Sequence, residues 1–155
     1  HDGVEQVVFY DWGVGSYYDP FTGGAFGAGI DKNIQDAYRF IVQNYDPGDE
    51  LYFFGFSRGA YTVRSLAGFI RNCGILKRTH AKLIHSAFEL YRDRGKHPDS
   101  VMARRFRKRC DCGHRVKIRF IGVWDTVGAL GVPLSVLGFL NENHLFHDTE
   151  LSSVS

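Results

Sequence analysis

Cysteine is scarce in this chain, with three residues in 155. An odd and small number of cysteines does not suggest a disulfide framework. A reducing compartment is therefore the default expectation. The sequence leaves the cellular location otherwise open, with the cytoplasm as the default.

Long apolar runs and a large excess of charge are also missing. No stretch reaches the roughly 18 consecutive apolar residues of a membrane-spanning helix, and no secretory signal is visible. The formal net charge is only +2, so no strong field draws the whole molecule to a polyanion, and nucleic acid is not an expected partner. The chain begins with His1-Asp2-Gly3 instead of Met, which we interpret as an internal piece of a longer protein.

Hydrophobic side chains, by contrast, are abundant, at 44% of the residues. A chain of 155 residues is the size of a single domain with a substantial core. Strand-like and helix-like periodicities alternate along it. The predicted elements are strands at Gln6–Tyr10, Leu51–Phe54 and Val116–Val123 and helices at Ile30–Tyr45, Ala60–Ile70 and Thr79–Arg92. This order is typical of an α/β fold with a mostly parallel sheet.

The most informative segment is the G-x-S-x-G sequence of residues 55–59. It lies between an apolar strand and a helix whose apolar residues recur at helical spacing, which is the context of a nucleophile elbow. Gly55 and Gly59 would let the strand and the helix pass closely. The hydroxyl of Ser57 would then lie at the carboxyl edge of the sheet, where the backbone N–H of Arg58 can stabilise an oxyanion. Ser57 is therefore the predicted nucleophile, and the alternative is a chance occurrence of the pattern.

An acidic residue follows the last predicted strand. Trp124-Asp125-Thr126-Val127-Gly128 comes directly after Val123. Because parallel strands end at the same edge of a sheet, Asp125 is expected on the same side as Ser57. The order Ser, Asp, His is that of α/β-hydrolase triads. The alternative is that Asp125 only caps the turn that follows it.

Three segments together carry a family resemblance: YDWGVGS, GFSRGAYTVRSLAGFIRNCGIL and FIGVWDTVGALGVP. Over about residues 6–155 the chain resembles an uncharacterised α/β-hydrolase domain family that includes phospholipase effectors of bacterial type VI secretion. The resemblance implies a three-layer αβα sandwich, incomplete at both ends, that forms one partial domain over residues 1–155. It also implies serine esterase or phospholipase chemistry on a small-molecule or lipid ester, and a secreted effector as one cellular context.

The general base is less well specified. Serine needs a neighbouring base, usually a histidine held by a carboxylate, and His147 follows Asp125 in the expected order. The resemblance implies instead a histidine in a further H-A-x-x-x-D-E stretch after residue 155, and an additional strand with an Asp-Gly-Thr-Trp turn before residue 1. Two functions therefore remain open: an ester hydrolase, or a non-catalytic binding module that keeps the fold with an incomplete triad.

Two sequence patterns are similar to cofactor-binding motifs but do not match them. In the glycine-rich stretch from Gly13 to Gly29, Tyr18 occupies the position where a dinucleotide-binding G-x-G-x-x-G needs its third glycine, so we interpret the stretch as an active-site loop. Residues 110–114, C-D-C-G-H, are too tightly spaced for a zinc knuckle. No metal or other cofactor is expected.

A run of basic residues precedes that segment. It is either a solvated helix face or a contact for phosphate, from the lipid headgroups of a membrane surface or from nucleic acid. Its members are Arg104, Arg105, Arg107, Lys108 and Arg109.

Overall fold

The computed structural model describes residues 3–13, 23–93, 97–110 and 116–124, without the side chains of residues 23–28. Helices and strands make up most of these ranges. The elements within these ranges are α1 (Gly23–Asn44), β1 (Leu51–Phe56), α2 (Arg58–Cys73), a 3₁₀ helix (Arg78–Leu83), α3 (Ile84–Arg92), α4 (Val101–Cys110) and β2 (Ile118–Trp124). None of the helices in the described ranges is long and apolar enough to cross a bilayer.

The two strands form a small parallel sheet. Phe53 lies opposite Ile121 and Phe56 opposite Trp124, so both strands end at the same level. The connection between the two strands contains α2, the 3₁₀ helix, α3 and α4. A parallel pair of strands requires such a long crossover connection. The mixed helix-and-strand character and the parallel pairing agree with the α/β prediction, while the three-layer sandwich stays a prediction.

The core is built around one aromatic side chain of α2. The ring of Phe69 stacks on that of Tyr38 from α1 at 4.1 Å between centroids, and it also contacts Phe88 and Tyr91 of α3 at 5.4 and 5.5 Å. The Tyr38 hydroxyl donates to the carbonyl of Gly74 at 2.8 Å and accepts the N–H of Leu76 at 3.2 Å. Three helices are thus held together on one side of the sheet.

The helical periodicities of the sequence account for this packing. Four residues of the predicted stripe of α1, namely Ile30, Ile34, Ala37 and Ile41, are buried, whereas the fifth, Tyr45, is half-buried just after the end of the helix. In α2 the buried residues likewise include Ala60, Leu66, Ala67 and Ile70. Each helix therefore turns its apolar face inward, as its 3.6-residue period predicts.

The prediction for the beginning of the chain is wrong. Gln6–Tyr10 forms no strand, and its side chains are largely exposed, with Val8 at 81% and Tyr10 at 70%. A strand needs a neighbour to share its backbone hydrogen bonds, and this segment pairs with no strand in the described residues. Its aromatic contacts are between Phe9 and Phe40 of α1, at 5.4 Å, and between Tyr10 and Trp12, at 5.1 Å. Residues 23–29, which the sequence predicted to lie in a loop, belong instead to α1.

The sheet has one covered and one open face within the described residues. Side chains that alternate along the strands point away from the helices and are between 49% and 69% exposed. These residues, which we call the aromatic face, are Tyr52, Phe54, Phe56, Phe120 and Trp124. The rings of Phe54 and Phe120 lie 5.5 Å apart above Gly122, where an added Cβ would come within 2.8 Å of the Phe120 ring.

Candidate active site

Ser57 occupies a strained bend between β1 and α2. β1 ends at Phe56 and α2 begins at Arg58, so the whole change of direction falls on one residue. Its backbone angles are φ 53° and ψ −118°, and it is the one non-glycine residue with positive φ among those that the structure describes. Such a conformation costs about 1–3 kcal/mol in a residue with a Cβ and is concentrated at functional sites.

Of the two glycines of the motif, Gly55 is the one that allows this bend. A Cβ on Gly55 would lie 2.3 Å from the carbonyl oxygen of Gly59 and 2.7 Å from the backbone nitrogen of Ala60. No side chain fits between strand and helix at that distance, so residue 55 must be glycine. Gly59 is different, because a Cβ there would meet nothing within 4 Å.

β2 supports the bend from the side. The backbone N–H of Ser57 donates to the carbonyl of Trp124 at 2.8 Å, which continues the parallel ladder one residue past β1. Ser57 thus lies beside the last residue of β2 at the carboxyl edge of the sheet. Sequence reasoning did not single out the Trp124 carbonyl, although the common end point of two parallel strands was the signal for it.

The electrostatics at Ser57 favour negative charge. Arg58 is the first residue of α2, and the first turn of this helix contains no acidic residue. The N–H groups of a first helical turn lack intrahelical acceptors, and they carry the positive end of the helix dipole. Ser57 and Arg58 are both partly exposed. A developing oxyanion at this helix start would therefore be stabilised.

The other two members of the predicted triad lie outside the described residues. Asp125 is the residue after the end of β2, and His147 follows 22 positions later in the sequence. Both stay predictions.

Comparison with known proteins places these observations in a family. The family model described as the catalytic domain of Tle1-like phospholipase effectors of type VI secretion matches residues 1–155. The chain belongs to this family. It is also 30% identical to the Saccharomyces cerevisiae protein called Uncharacterized protein YEL023C over an alignment of length 154, which covers 84% of this chain and 23% of that protein. The chain thus spans about a quarter of the length of that curated relative. No solved structure matches it significantly.

Metal ligands are not assembled in the described part of this Tle1-like domain. No group of three His, Cys, Asp or Glu residues there is arranged to hold a metal ion. Cys73 is buried in the core, where its thiol donates to the Ala87 carbonyl at 3.2 Å. Burial raises the pKa of the Cys73 thiol to about 12, so it stays protonated and unreactive at neutral pH. Residues 111–115, with Cys112 and His114, lie outside the described ranges.

The basic run of the Tle1-like domain forms most of α4, and one of its residues makes hydrogen bonds to other parts of the fold. The Arg107 guanidinium donates to the carbonyls of Asn72 at 2.6 Å and Pro98 at 2.8 Å. It therefore joins α4 to the end of α2. Arg104, Arg105, Lys108 and Arg109 are exposed. The sequence run did not distinguish Arg107 from these four, because the distinction depends on which side of α4 faces α2.

Proposed function

We propose that this chain is the catalytic core of a serine hydrolase of α/β-hydrolase type that cleaves an ester bond in a lipid, with Ser57 as nucleophile. The observation that carries the proposal is the strained conformation of Ser57 between β1 and α2. A serine so placed exposes its hydroxyl at the carboxyl edge of the sheet, where α/β enzymes carry out their chemistry. Membership of a phospholipase effector family supports a phospholipid as the substrate.

The chemistry assigned to this edge is acyl transfer. The Oγ of Ser57 attacks the ester carbonyl while a histidine accepts its proton, and the carbonyl oxygen becomes an oxyanion. The N–H of Arg58 donates to that oxyanion, a contribution of about 3 kcal/mol to the lowering of the barrier. Collapse of the tetrahedral intermediate expels the alcohol, which takes the proton from the histidine. Water then hydrolyses the acyl-serine by the reverse sequence.

Asp125 is the proposed acid of the triad. It follows Trp124 in the sequence, and the Trp124 carbonyl accepts the Ser57 N–H at the level where β1 and β2 both end. A carboxylate there would hold the imidazole in the productive tautomer and stabilise its charged form. His147 is the proposed base within this chain, with a histidine outside residues 1–155 as the alternative.

The fold proposed for the whole domain is the αβα sandwich. The helices of the described residues cover one side of the sheet, and the aromatic face on the other side is open. Parallel sheets are normally covered on both faces. A second helical layer over the aromatic face would complete the sandwich.

Labelling with a fluorophosphonate probe tests the nucleophile, because the probe phosphonylates only an activated serine. The wild-type chain is expected to be labelled, whereas Ser57→Ala is not. Ser86→Ala is a matched control, since Ser86 is an exposed serine on α3 and its loss should leave labelling unchanged. Asp125→Asn and His147→Ala, each checked for folding by circular dichroism, should reduce the labelling rate at least a hundredfold if they belong to the triad.

Each alternative gives a distinct result in the same experiment. If His147→Ala labels at the wild-type rate while Ser57→Ala does not label, the base lies elsewhere and His147 is removed from the assignment. If a folded wild-type chain with a longer flanking sequence shows no labelling that depends on Ser57, the hydrolase proposal is wrong and a non-catalytic binding module remains.

A further inference from the structure

The surface of α4 is divided between a buried and a strongly basic side. Ala103 and Cys110 are fully buried, and Phe106 packs partly against the core. The opposite side carries four exposed cations, and the helix contains no acidic residue. These cations, which we call the α4 basic face, are Arg104, Arg105, Lys108 and Arg109.

The cations of the α4 basic face lie close together without compensation from the described part of the chain. Residues four apart are neighbours on a helix surface, so Arg104 lies beside Lys108 and Arg105 beside Arg109. No carboxylate of the described residues pairs with any of these four. Some other exposed cations of the described residues do have carboxylates within 4 Å, namely Lys32, Arg39, Arg78 and Arg119. Like charges at this spacing repel one another, and an anionic partner would remove that repulsion.

Two apolar side chains beside this face indicate the kind of partner. Val101 and Met102 in the first turn of α4 are 54% and 55% exposed. Basic residues next to exposed apolar ones are typical of helices that lie in the interface of an anionic bilayer. A surface for single-stranded nucleic acid would instead be expected to interleave aromatic rings for base stacking, and the one aromatic residue of α4, Phe106, faces the core.

We propose that α4 docks this protein on an anionic phospholipid surface through its basic face, with Val101 and Met102 entering the headgroup region. This rests on the proposed function to the extent that a phospholipid substrate is presented as a bilayer. Charge complementarity carries the recognition: four cations meet a layer of phosphate groups. No single lipid headgroup is selected.

The position of α4 separates docking from catalysis. Arg107 binds the carbonyl of Asn72, in the last turn of α2, whereas Ser57 precedes the first turn. The 16 residues of α2 span about 24 Å at 1.5 Å per residue. The basic face therefore holds the protein at the surface and does not contact the scissile ester.

The test is binding to sedimented vesicles, measured in the Ser57→Ala background so that no lipid is hydrolysed. The docking variant carries Arg104→Gln, Arg105→Gln, Lys108→Gln and Arg109→Gln, and it keeps Arg107. The charge-matched control carries Lys32→Gln, Arg39→Gln, Arg78→Gln and Arg119→Gln. Both take the formal net charge from +2 to about −2, so only the location of the removed charge differs.

The expected result is a loss confined to the docking variant. Each basic residue near an anionic bilayer contributes about fivefold to partitioning, so the docking variant should bind vesicles of phosphatidylglycerol and phosphatidylcholine roughly 600-fold less tightly than its parent. The milder Arg104→Gln, Lys108→Gln variant should lose about 25-fold. Binding of the parent should fall steeply between 0.05 and 0.5 M salt because the Debye length shortens (about 10 Å at 0.1 M). Vesicles of phosphatidylcholine alone should bind little of any variant.

Three results would overturn the proposal. One is equal loss in the docking variant and the charge-matched control, since binding would then follow net charge alone. Another is undiminished binding by both α4 variants while circular dichroism shows them folded. The third is a docking variant that loses affinity for single-stranded RNA but keeps its affinity for the vesicles. None of these depends on whether Ser57 reacts with the fluorophosphonate, so docking and catalysis fail separately.

Discussion

Gly55 faces the carbonyl oxygen of Gly59 so closely that a methyl group on residue 55 would lie 2.3 Å from that oxygen. Strand β1 and helix α2 therefore meet backbone to backbone on either side of Ser57. The strained serine depends on this contact, because any wider crossing would let the bend relax over more than one residue.

Substitution of the two glycines should have opposite effects on stability. Gly55→Ala forces the strand and helix apart and should lower the free energy of unfolding by at least the 1–3 kcal/mol typical of overpacking. Gly59→Ala adds a methyl group to open space in a helix and should raise it by about 0.5–1 kcal/mol. Urea unfolding followed by circular dichroism measures both. Equal stability of the two variants would contradict the close approach described for residue 55.

Removing the Cβ of residue 57 should stabilise the protein while it abolishes any reaction with the probe. Glycine accepts a φ of 53° without steric conflict, so Ser57→Gly removes the strain. The greater conformational entropy of an unfolded glycine opposes this gain, and the free energy of unfolding should rise by about 1 kcal/mol in total. Ser57→Ala keeps the Cβ and the strain, and it should change stability by less than about 0.5 kcal/mol. A Ser57→Gly variant no more stable than Ser57→Ala would show that residue 57 is not strained in solution.

The two arginine substitutions that best compare the sides of α4 are Arg107→Leu and Arg104→Leu. The first leaves the carbonyls of Asn72 and Pro98 without their charged donor and should lower the free energy of unfolding by about 1–3 kcal/mol. The second changes an exposed side chain and should stay within about 0.5 kcal/mol of wild type. Thermal unfolding gives the comparison directly, and losses of the same size would mean that Arg107 does not join α4 to α2.

The buried thiol of Cys73 should make the fold sensitive to alkali. Burial raises its pKa from 9.0 to about 12, against a smaller opposing effect of Arg107. The folded state therefore holds this proton more tightly than the unfolded state does. The stability that results is fully present below about pH 9 and is lost as the pH rises towards 12.

Cys73→Ala should consequently show a smaller decrease in unfolding free energy across that pH range than wild type. Burial also raises the pKa of Tyr91, which acts in the same direction, so Tyr91→Phe should flatten the dependence in the same way. Urea titrations at successive pH values provide the measurement. Parallel pH profiles for wild type and both variants would contradict the burial of these groups.

Sequence patterns predicted a helix or a strand correctly where the pattern within that segment alone determines which of its residues are buried. The stripe of α2 and the apolar run of β1 each identify their element because burial follows a period that can be read along the chain. Gln6–Tyr10 has the same apolar character as β1, yet it forms no strand, because strand formation depends on a partner that the segment cannot specify. Arg107 was likewise indistinguishable from its neighbours, since its hydrogen bonds are to carbonyls 35 and 9 residues away.

The candidate site likewise has one part that the sequence predicted and another part that it did not. The G-x-S-x-G pattern predicted a bend at Ser57 and the need for a glycine at residue 55, because both follow from the sterics of five consecutive residues. The partners of Ser57 come from distant segments, and only the end of β2 is described. Asp125 and His147 therefore stay predictions that labelling has to decide.

The open aromatic face makes Trp124 a natural optical reporter. Its indole is 59% exposed at the end of β2, one residue before the proposed triad acid, and the chain has one other tryptophan, Trp12. With Trp12→Phe, the emission of Trp124 alone will shift to shorter wavelength whenever another layer covers that face. Fluorescence can thus follow completion of the sandwich in solution without any added dye.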